Sequence, residues 1–535
     1  MRKCVCFVAL SCVCLAVACG NLFGQATASA TLQGTIFDKS QAVVVGASIR
    51  LTNKLDGATR TTTSTDAGTY RFDLLPAGTY QIKVSMSGFS LATADKIELL
   101  VGQTSTLDFT LSPGAQTETV TVTTEAPIVD VEKTNVGLGI TPTDIESIPL
   151  NGRDFANLAY LAPGARPVDS YDPTKNRIAI FGINGSSGRN VNVTVNGIDN
   201  KDNTVGGPVM QFPLGAIEEF YISTQRFSAA NGKSEGGAVN VVTKSGSNLW
   251  HGYLYLFDSE TALNANDFLS KKNGQPTPEF SRQQFGGSVG GPIRKNSDFF
   301  FFAIERQRES TAIPAASDAL TELNLVKSLG AQPSPTIPTP YFDWRYNGRY
   351  DHRFSSSHSL MFAYSAQTNE GLNDQSIERN DLTAGNFTTN SLILSNLTLN
   401  SVFTPRIVNA LTVGYQYWNN VIDTTNKVPT FVFGTGKRAV TFGTNTNVPQ
   451  ESIQKKWQFR DDLSITQGRH ALKMGMDFVW EPQLGGFFEF NPTLEIDFKD
   501  LPTKITSDKT NYPQGFATPG AVIGMSNTSD RKSVV

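Results

Sequence analysis

The feature that most constrains this chain is a strict two-residue alternation in its second half. Phe342, Trp344, Tyr346, Gly348 and Tyr350 alternate with Asp343, Arg345, Asn347, Arg349 and Asp351. After Ser355-Ser356-Ser357 the pattern resumes with Leu360, Phe362 and Tyr364 on one side. Leu411, Val413, Tyr415 and Tyr417 alternate with Thr412, Gly414 and Gln416. Trp457, Phe459, Leu463 and Ile465 lead to Gln467-Gly468-Arg469-His470, and Leu472, Met474, Met476, Phe478 and Trp480 return. Successive side chains of a strand point to opposite faces, so each segment reads as a strand with one apolar and one polar face. A soluble sandwich alternates too. Segments of about ten residues with aromatics near their ends instead mark a membrane barrel. The connections 307–340 and 419–455 are long for a sandwich and are expected as extracellular loops.

Past the first segment, no run approaches the roughly 18 apolar residues of a membrane helix, so a membrane crossing would have to be made by strands. That first segment reads as an export signal: Arg2 and Lys3 are followed by an apolar stretch from Val5 to Ala18. Small residues in Gly24-Gln25-Ala26 place cleavage between Ala26 and Thr27, which makes residues 1–26 the signal peptide. A lipoprotein reading would use Cys19, but the residue three before it is Ala16 rather than Leu. All five cysteines (Cys4, Cys6, Cys12, Cys14, Cys19) lie in this segment. Its removal leaves neither a disulfide framework nor a thiolate metal site. A net charge of −3 lacks the basic footprint of a nucleic-acid partner.

Residues 28–112 carry short alternating runs, such as Ala47 to Leu51 and Tyr80 to Val84, separated by turn signals. The succession Gly34-Thr35-Ile36-Phe37-Asp38, Gly46-Ala47, Thr65-Asp66-Ala67-Gly68-Thr69-Tyr70, Leu75-Pro76-Ala77-Gly78-Thr79-Tyr80 and Gly88-Phe89 resembles the carboxypeptidase-regulatory-like family. The resemblance implies a transthyretin-like β-sandwich. A zinc peptidase needs His and Glu ligands at short helical spacing. The four histidines (His251, His352, His358, His470) all lie outside this unit and none has that spacing. The unit reads as a binding or spacer module, with no metal and no catalytic residue.

Residues 113–127 form a linker holding the β-prone stretch Glu118-Thr119-Val120-Thr121-Val122-Thr123. Pattern alone reads it as a final strand or a solvated linker, or as a segment that adds itself to a partner's sheet edge through main-chain bonds. The next unit, 124–247, carries Ile148-Pro149-Leu150-Asn151-Gly152-Arg153-Asp154-Phe155, then Val195-Asn196-Gly197-Ile198-Asp199-Asn200 and Ile217-Glu218-Glu219-Phe220. It closes with Glu235-Gly236-Gly237-Ala238-Val239-Asn240-Val241-Val242-Thr243-Lys244-Ser245-Gly246. This succession resembles the plug of TonB-dependent outer-membrane receptors, especially the Oar-like branch. Asn196 stands where that family usually has Asp, and both suit a tight turn.

The resemblance implies that Glu118 to Thr123 are a TonB box. It makes Asn151, Gly152, Arg153, Asn196, Gly197, Thr243, Lys244, Ser245 and Gly246 the plug's motif residues, and 248–535 the first part of a barrel. Such barrels have about twenty-two strands. Residues 248–535 suffice for about ten to twelve, and the chain ends Ser533-Val534-Val535 rather than on an aromatic. The chain is therefore expected to be a piece of a longer product. The implied fold is mainly β: sandwich, α+β plug and partial antiparallel barrel. The implied function is TonB-energised uptake through a plugged barrel, with no cofactor. Its partners would be TonB, outer-membrane lipid and a substrate, and the loops do not choose among siderophore, vitamin, glycan and peptide. The alternative is a surface adhesion or secretion-linked structural protein that binds saccharide or protein.

Three catalytic motifs are set aside. Gly286-Gly287-Ser288-Val289-Gly290 matches a nucleophile elbow, but Pro292 and four phenylalanines follow where a helix is required. His352 and His358 flank a turn without further ligands, and Asp461 and Asp462 fall on opposite strand faces.

Overall fold

The computed structural model describes residues 29–114, 119–122, 136–168, 180–203, 206–227, 232–266, 268–272, 277, 279–445, 447–468, 470–488 and 493–527. The expected cleavage site at Ala26 and Thr27, like Glu118 and Thr123, lies outside them. Among the described residues no helix is long and apolar enough to cross a membrane.

Strands β1 (Ala30–Asp38), β2 (Ser48–Asn53), β3 (Thr59–Thr63), β4 (Thr69–Leu75), β5 (Gly78–Ser85), β6 (Leu91–Leu99), β7 (Thr104–Thr106), β8 (Phe109–Leu111) and β9 (Thr119–Val122) form two facing sheets. One runs β4-β1-β7 with β8 also on β1, and the other β3-β2-β5-β6-β9. Alternate residues such as Ile49, Leu51, Ile82, Val84, Leu32 and Phe72 meet between the sheets in one core. This is the two-layer packing that period-2 strands favour.

A middle unit follows, built on β10 (Val136–Ile140), β11 (Ala165–Pro167), β12 (Phe181–Ile183), β13 (Asn192–Val195), β14 (Ile198–Asp199), β15 (Ile217–Gln225) and β16 (Ala238–Thr243). Five of them make a mixed sheet in the order β10-β15-β16-β13-β14. The short helix Pro142–Ser147 begins with a capping box between Thr141 and Asp144 and a proline in its first turn. Phe155 packs edge-on against Phe212 and Phe220. This core is not closed on itself: it continues onto Leu392, Leu394 and Trp418 of the long sheet.

That long sheet is an antiparallel meander of β17 (His251–Glu260), β18 (Phe280–Arg294), β19 (Asp298–Pro314), β20 (Thr336–Pro338), β21 (Tyr341–Arg353), β22 (His358–Leu372), β23 (Asn386–Thr404), β24 (Ile407–Thr424), β27 (Gln450–Gln467) and β28 (His470–Phe488). Its two faces are inverted relative to a soluble protein. In register across seven strands, the buried inner face carries Gln284, Gln307, Asp343, Asn369, Asn390, Asn420 and Ser452. The outer face carries Phe300, Tyr350, Phe362, Leu397, Val413, Phe459 and Phe478, likewise in register. Water does not drive phenylalanines outward, whereas lipid does.

The expected loops are shorter and more ordered than the sequence suggests. β19 runs on to Pro314, β24 to Thr424, and β27 starts at Gln450. Between them β25 (Thr430–Phe433) and β26 (Val440–Phe442) join β29 (Leu494–Phe498) and β30 (Val522–Asn527) in a separate sheet. Helices Ser317–Leu325 and Pro502–Ser507 cover it around stacked Phe431, Phe442, Phe433 and Phe498. Residues 494–527 thus enter this cap rather than the meander, whose ten described strands fall at the lower end of the expected count of about ten to twelve.

Candidate functional site

The middle unit meets the inner face of the meander through fixed polar contacts. At the β13–β14 turn, Asn196 and Gly197 take φ of 49° and 83°, the left-handed region that Asn and Gly tolerate best. The Asn196 carboxamide donates to Thr243 Oγ1 (2.9 Å) and accepts from the Thr243 N–H (3.0 Å). Both ends of the amide are used, so the departure from Asp closes the turn onto β16. Arg349 on β21 donates to the Thr243 carbonyl (2.6 Å) while paired with Asp351. Gly414 on β24 leaves a dent for Ile198: a Cβ there would lie 2.4 Å from the Ile198 side chain.

Beyond the turn the chain is clamped to three alternate residues of β27. Asp199 pairs with Lys456 (3.1 Å), and both are buried. Gln458 accepts from the Asp199 N–H (2.9 Å), while Lys456 and Gln454 both donate to the Lys201 carbonyl. Gln454 also accepts from the Asn203 N–H, and the Asn203 amide reaches Glu481. A buried pair resists separation when its remaining hydrogen-bonding groups are met, as these are. On the opposite side the Gln211 N–H donates to Gln367 (2.8 Å), whose amide donates to Asp343. Asp343 in turn shares the buried Arg345 guanidinium with Glu305.

The middle unit also touches the sandwich. Glu219 on β15, only 1% exposed, accepts the Val101 N–H with both oxygens (2.9 and 2.8 Å). Burial pushes its carboxyl up to about 8 against the pull of that hydrogen bond, and Glu218 adds to the rise. The sandwich reaches the meander directly: Asp56 pairs with Arg353 (2.5 Å), Asn248 N–H donates to the Leu55 carbonyl, and Thr466 donates to Asp73. A cavity of about 270 Å³ remains between the three units, lined by Arg60, Tyr80, Ser245, Arg349, Arg353 and Arg460.

Residues 242–325 and 331–535 match the family model described as an outer membrane beta barrel domain. The chain belongs to that family. It is an outer-membrane protein, and the inverted faces of its meander are those of a barrel wall. Residues 31–112 match the carboxypeptidase regulatory-like domain. A curated relative is the TonB-dependent transporter Oar of Myxococcus xanthus, 28% identical over 300 residues that cover 53% of this chain and 27% of the relative. Among solved structures, the outer membrane transporter YddB from Escherichia coli aligns with a TM-score of 0.52 at 10% identity. That alignment covers 68% of this chain and 50% of YddB, and shows a shared fold. The chain spans about a quarter of the curated relative's length and half of the solved one's. Both are named as transporters, not enzymes.

The motif residues read from the sequence converge only in part. Asn196, Gly197 and Thr243 form the turn just described. Ser245 lines the cavity, and Gly246 lies where a Cβ would meet the Phe300 carbonyl at 2.4 Å. Lys244 pairs with Glu146 (3.3 Å). Asn151 to Arg153 form a separate 3-10 turn, with the Arg153 guanidinium over the Tyr255 and Phe257 rings of β17 (5.2 and 4.3 Å). Thr119 to Val122 are β9, paired in parallel with Leu91 to Ala94 at the edge of the sandwich. Sequence reasoning missed Lys456, Gln454, Gln458, Gln367 and Glu219. The only available signal for the β27 trio was its position opposite Trp457 and Phe459.

The motifs set aside stay structural. Gly286 to Gly290 lie inside β18, with Phe285 and Val289 outward and Gln284 buried. His352 pairs with Asp298 (2.7 Å), and His358 with Ser401 (3.1 Å). Asp461 binds Asn409, and Asp462 binds Arg460 on the other face. Among the described residues no three His, Cys, Asp or Glu side chains gather where they could hold a metal ion.

Proposed function

We propose that this chain is part of an active outer-membrane transporter in which the middle unit is a plug and Glu118 to Thr123 are the segment on which TonB pulls. Domain limits of 28–112 for the sandwich, 113–127 for the linker, 124–247 for the plug and 248–535 for the barrel part follow from that reading. The observation that carries it is the clamp of residues 199–203 on Gln454, Lys456 and Gln458. It seats a folded unit on the polar inner wall of a membrane barrel, where it obstructs passage until it is rearranged. The likeness to a TonB-dependent transporter supports an energy supply from a partner rather than from a nucleotide. An adhesive or structural surface protein would not require a fastened obstruction inside its own barrel.

Proline at Val120 or Val122 tests the coupling, because it removes a main-chain donor and fixes φ. In the full-length protein, capture by the periplasmic C-terminal domain of the host TonB is expected to fall at least tenfold, with the outer-membrane level unchanged. Thr119→Val and Thr121→Val are expected to change capture less than twofold, since main-chain bonds carry this recognition mode. Normal capture of both proline variants would place the coupling segment elsewhere.

A further inference from the structure

The segment read as the coupling strand is already paired. Pro113 bridges to Phe89 and the Gly114 N–H donates to the Gly88 carbonyl (3.2 Å), so the chain turns back at the end of the sandwich. Thr119, Val120, Thr121 and Val122 then lie opposite Leu91, Ala92, Thr93 and Ala94 in parallel register. β9 is the outermost strand of its sheet, and β6 would be the edge without it. Beneath it Ala92, Thr93 and Ala94 are buried, and Thr93 Oγ1 has no hydrogen-bond partner among the described residues. The platform itself is fastened, by Val101 to Glu219, Asp56 to Arg353 and Leu55 to Asn248.

We propose that the β6 edge of the sandwich is a docking surface for this chain's own Thr119 to Val122, and that it competes with TonB for that strand. The inference rests on the coupling role proposed above. A partner that recognises a strand by its main chain pairs along one side of it, and the competition proposed here is for the side that β6 engages. While β9 is docked, a partner has only the outer side to read, against a sandwich fixed to the barrel mouth. A partner that reads the side facing β6 can pair only once β9 has left. The pairing spans four residues, which keeps it reversible. In this scheme the sandwich stores the strand until something loosens it, and β6 then becomes a bare edge able to take it back.

Engineered cysteines in register test this in the full-length protein, because all five native cysteines lie within the first 19 residues. Thr93→Cys with Thr121→Cys, and Ala92→Cys with Val120→Cys, join the docked strand on either face. Copper-phenanthroline oxidation is expected to close at least one pair. Capture by the TonB C-terminal domain is then expected to fall at least tenfold and to return on adding dithiothreitol, with single-cysteine controls unaffected. If neither pair closes, the strand does not dock there. If a closed pair is captured as well as the reduced one, TonB does not compete with the sandwich. Val120→Pro in the same assay separates the two ideas. Loss of capture with proline, together with capture of the locked strand, overturns only the docking proposal. Normal capture of the proline variant overturns the coupling role.

Discussion

Glu219 holds a buried carboxyl against a backbone N–H of another unit, so its proton is linked to the contact between them. Its value is pushed up to about 8 from an ordinary 4.5, chiefly by burial. Below pH 4.5 the group is protonated whether or not the sandwich is docked, and it adds no pH dependence. Between about 4.5 and 8 the docked form holds a proton that the undocked form has lost, so docking weakens as pH rises. One linked proton limits the slope to about tenfold per pH unit. Above 8 both forms are ionised and the loss is complete. Amide exchange of the peptide containing Val101, corrected for the intrinsic pH dependence of exchange, is therefore expected to slow from pH 8 to pH 5.5. Glu219→Gln is expected to flatten the trend, and an unchanged slope in that variant would assign the proton to another group. None of this was legible from Ile217-Glu218-Glu219-Phe220, because alternation says which face a residue takes and not what covers it. The same holds for Lys456: its place opposite Trp457 was readable, but its partner Asp199 lies far away in the chain, 259 positions from the neighbouring Gln458.

Strands of the meander were legible because lipid outside and polar groups inside impose opposite demands on alternate residues. Their ends were not, because the strands continue past the membrane. On β23 the outer face runs Leu399, Leu397, Ser395 and Ile393, then Ser391 and Thr389 with a single Phe387 beyond them, while the ladder runs on to Asn386. A lipid-spanning strand needs only about 9–11 residues, so the remainder of this 19-residue strand stands outside the bilayer. Leu397→Arg is accordingly expected to cost about 2–4 kcal/mol if it lies near the bilayer midplane. Thr389→Arg on the same face should cost little. Heat-modifiable mobility of the full-length protein on gels, read with outer-membrane level, checks the pair. Equal tolerance of both substitutions would misplace the lipid boundary. The cap escaped sequence reading for a different reason. Its stacked Phe431, Phe442, Phe433 and Phe498 come from separated connections, none with enough alternation to announce a strand. β9 lies between these cases, since its Thr-Val alternation marks a strand but leaves the sandwich or a partner open as its neighbour.

At the scale of the molecule the sandwich is tied at separate posts, and the question is whether they act together. Asp56 and Arg353 form one post; Val101 and Glu219 form another, on the middle unit. Burial raises the Asp56 carboxyl and the Arg353 guanidinium opposes that rise. Removing Arg353 would leave a desolvated acid unpaired, which favours undocking over keeping the contact. The sandwich has a single core shared by both sheets, so it should move as one body. Arg353→Ala in the full-length protein is then expected to speed amide exchange at 54–58 and, by a comparable factor, at Val101. The barrel's heat-modifiability should stay unchanged, because Arg353 lies at the end of β21 and the ladders on either side of it remain. Adding Asp56→Asn should recover part of the effect at both places, since the uncompensated charge is then gone. Faster exchange confined to 54–58 would mean that the posts yield one at a time. A pull on β9 would then have to strip the strand from a sandwich still held at its other contacts.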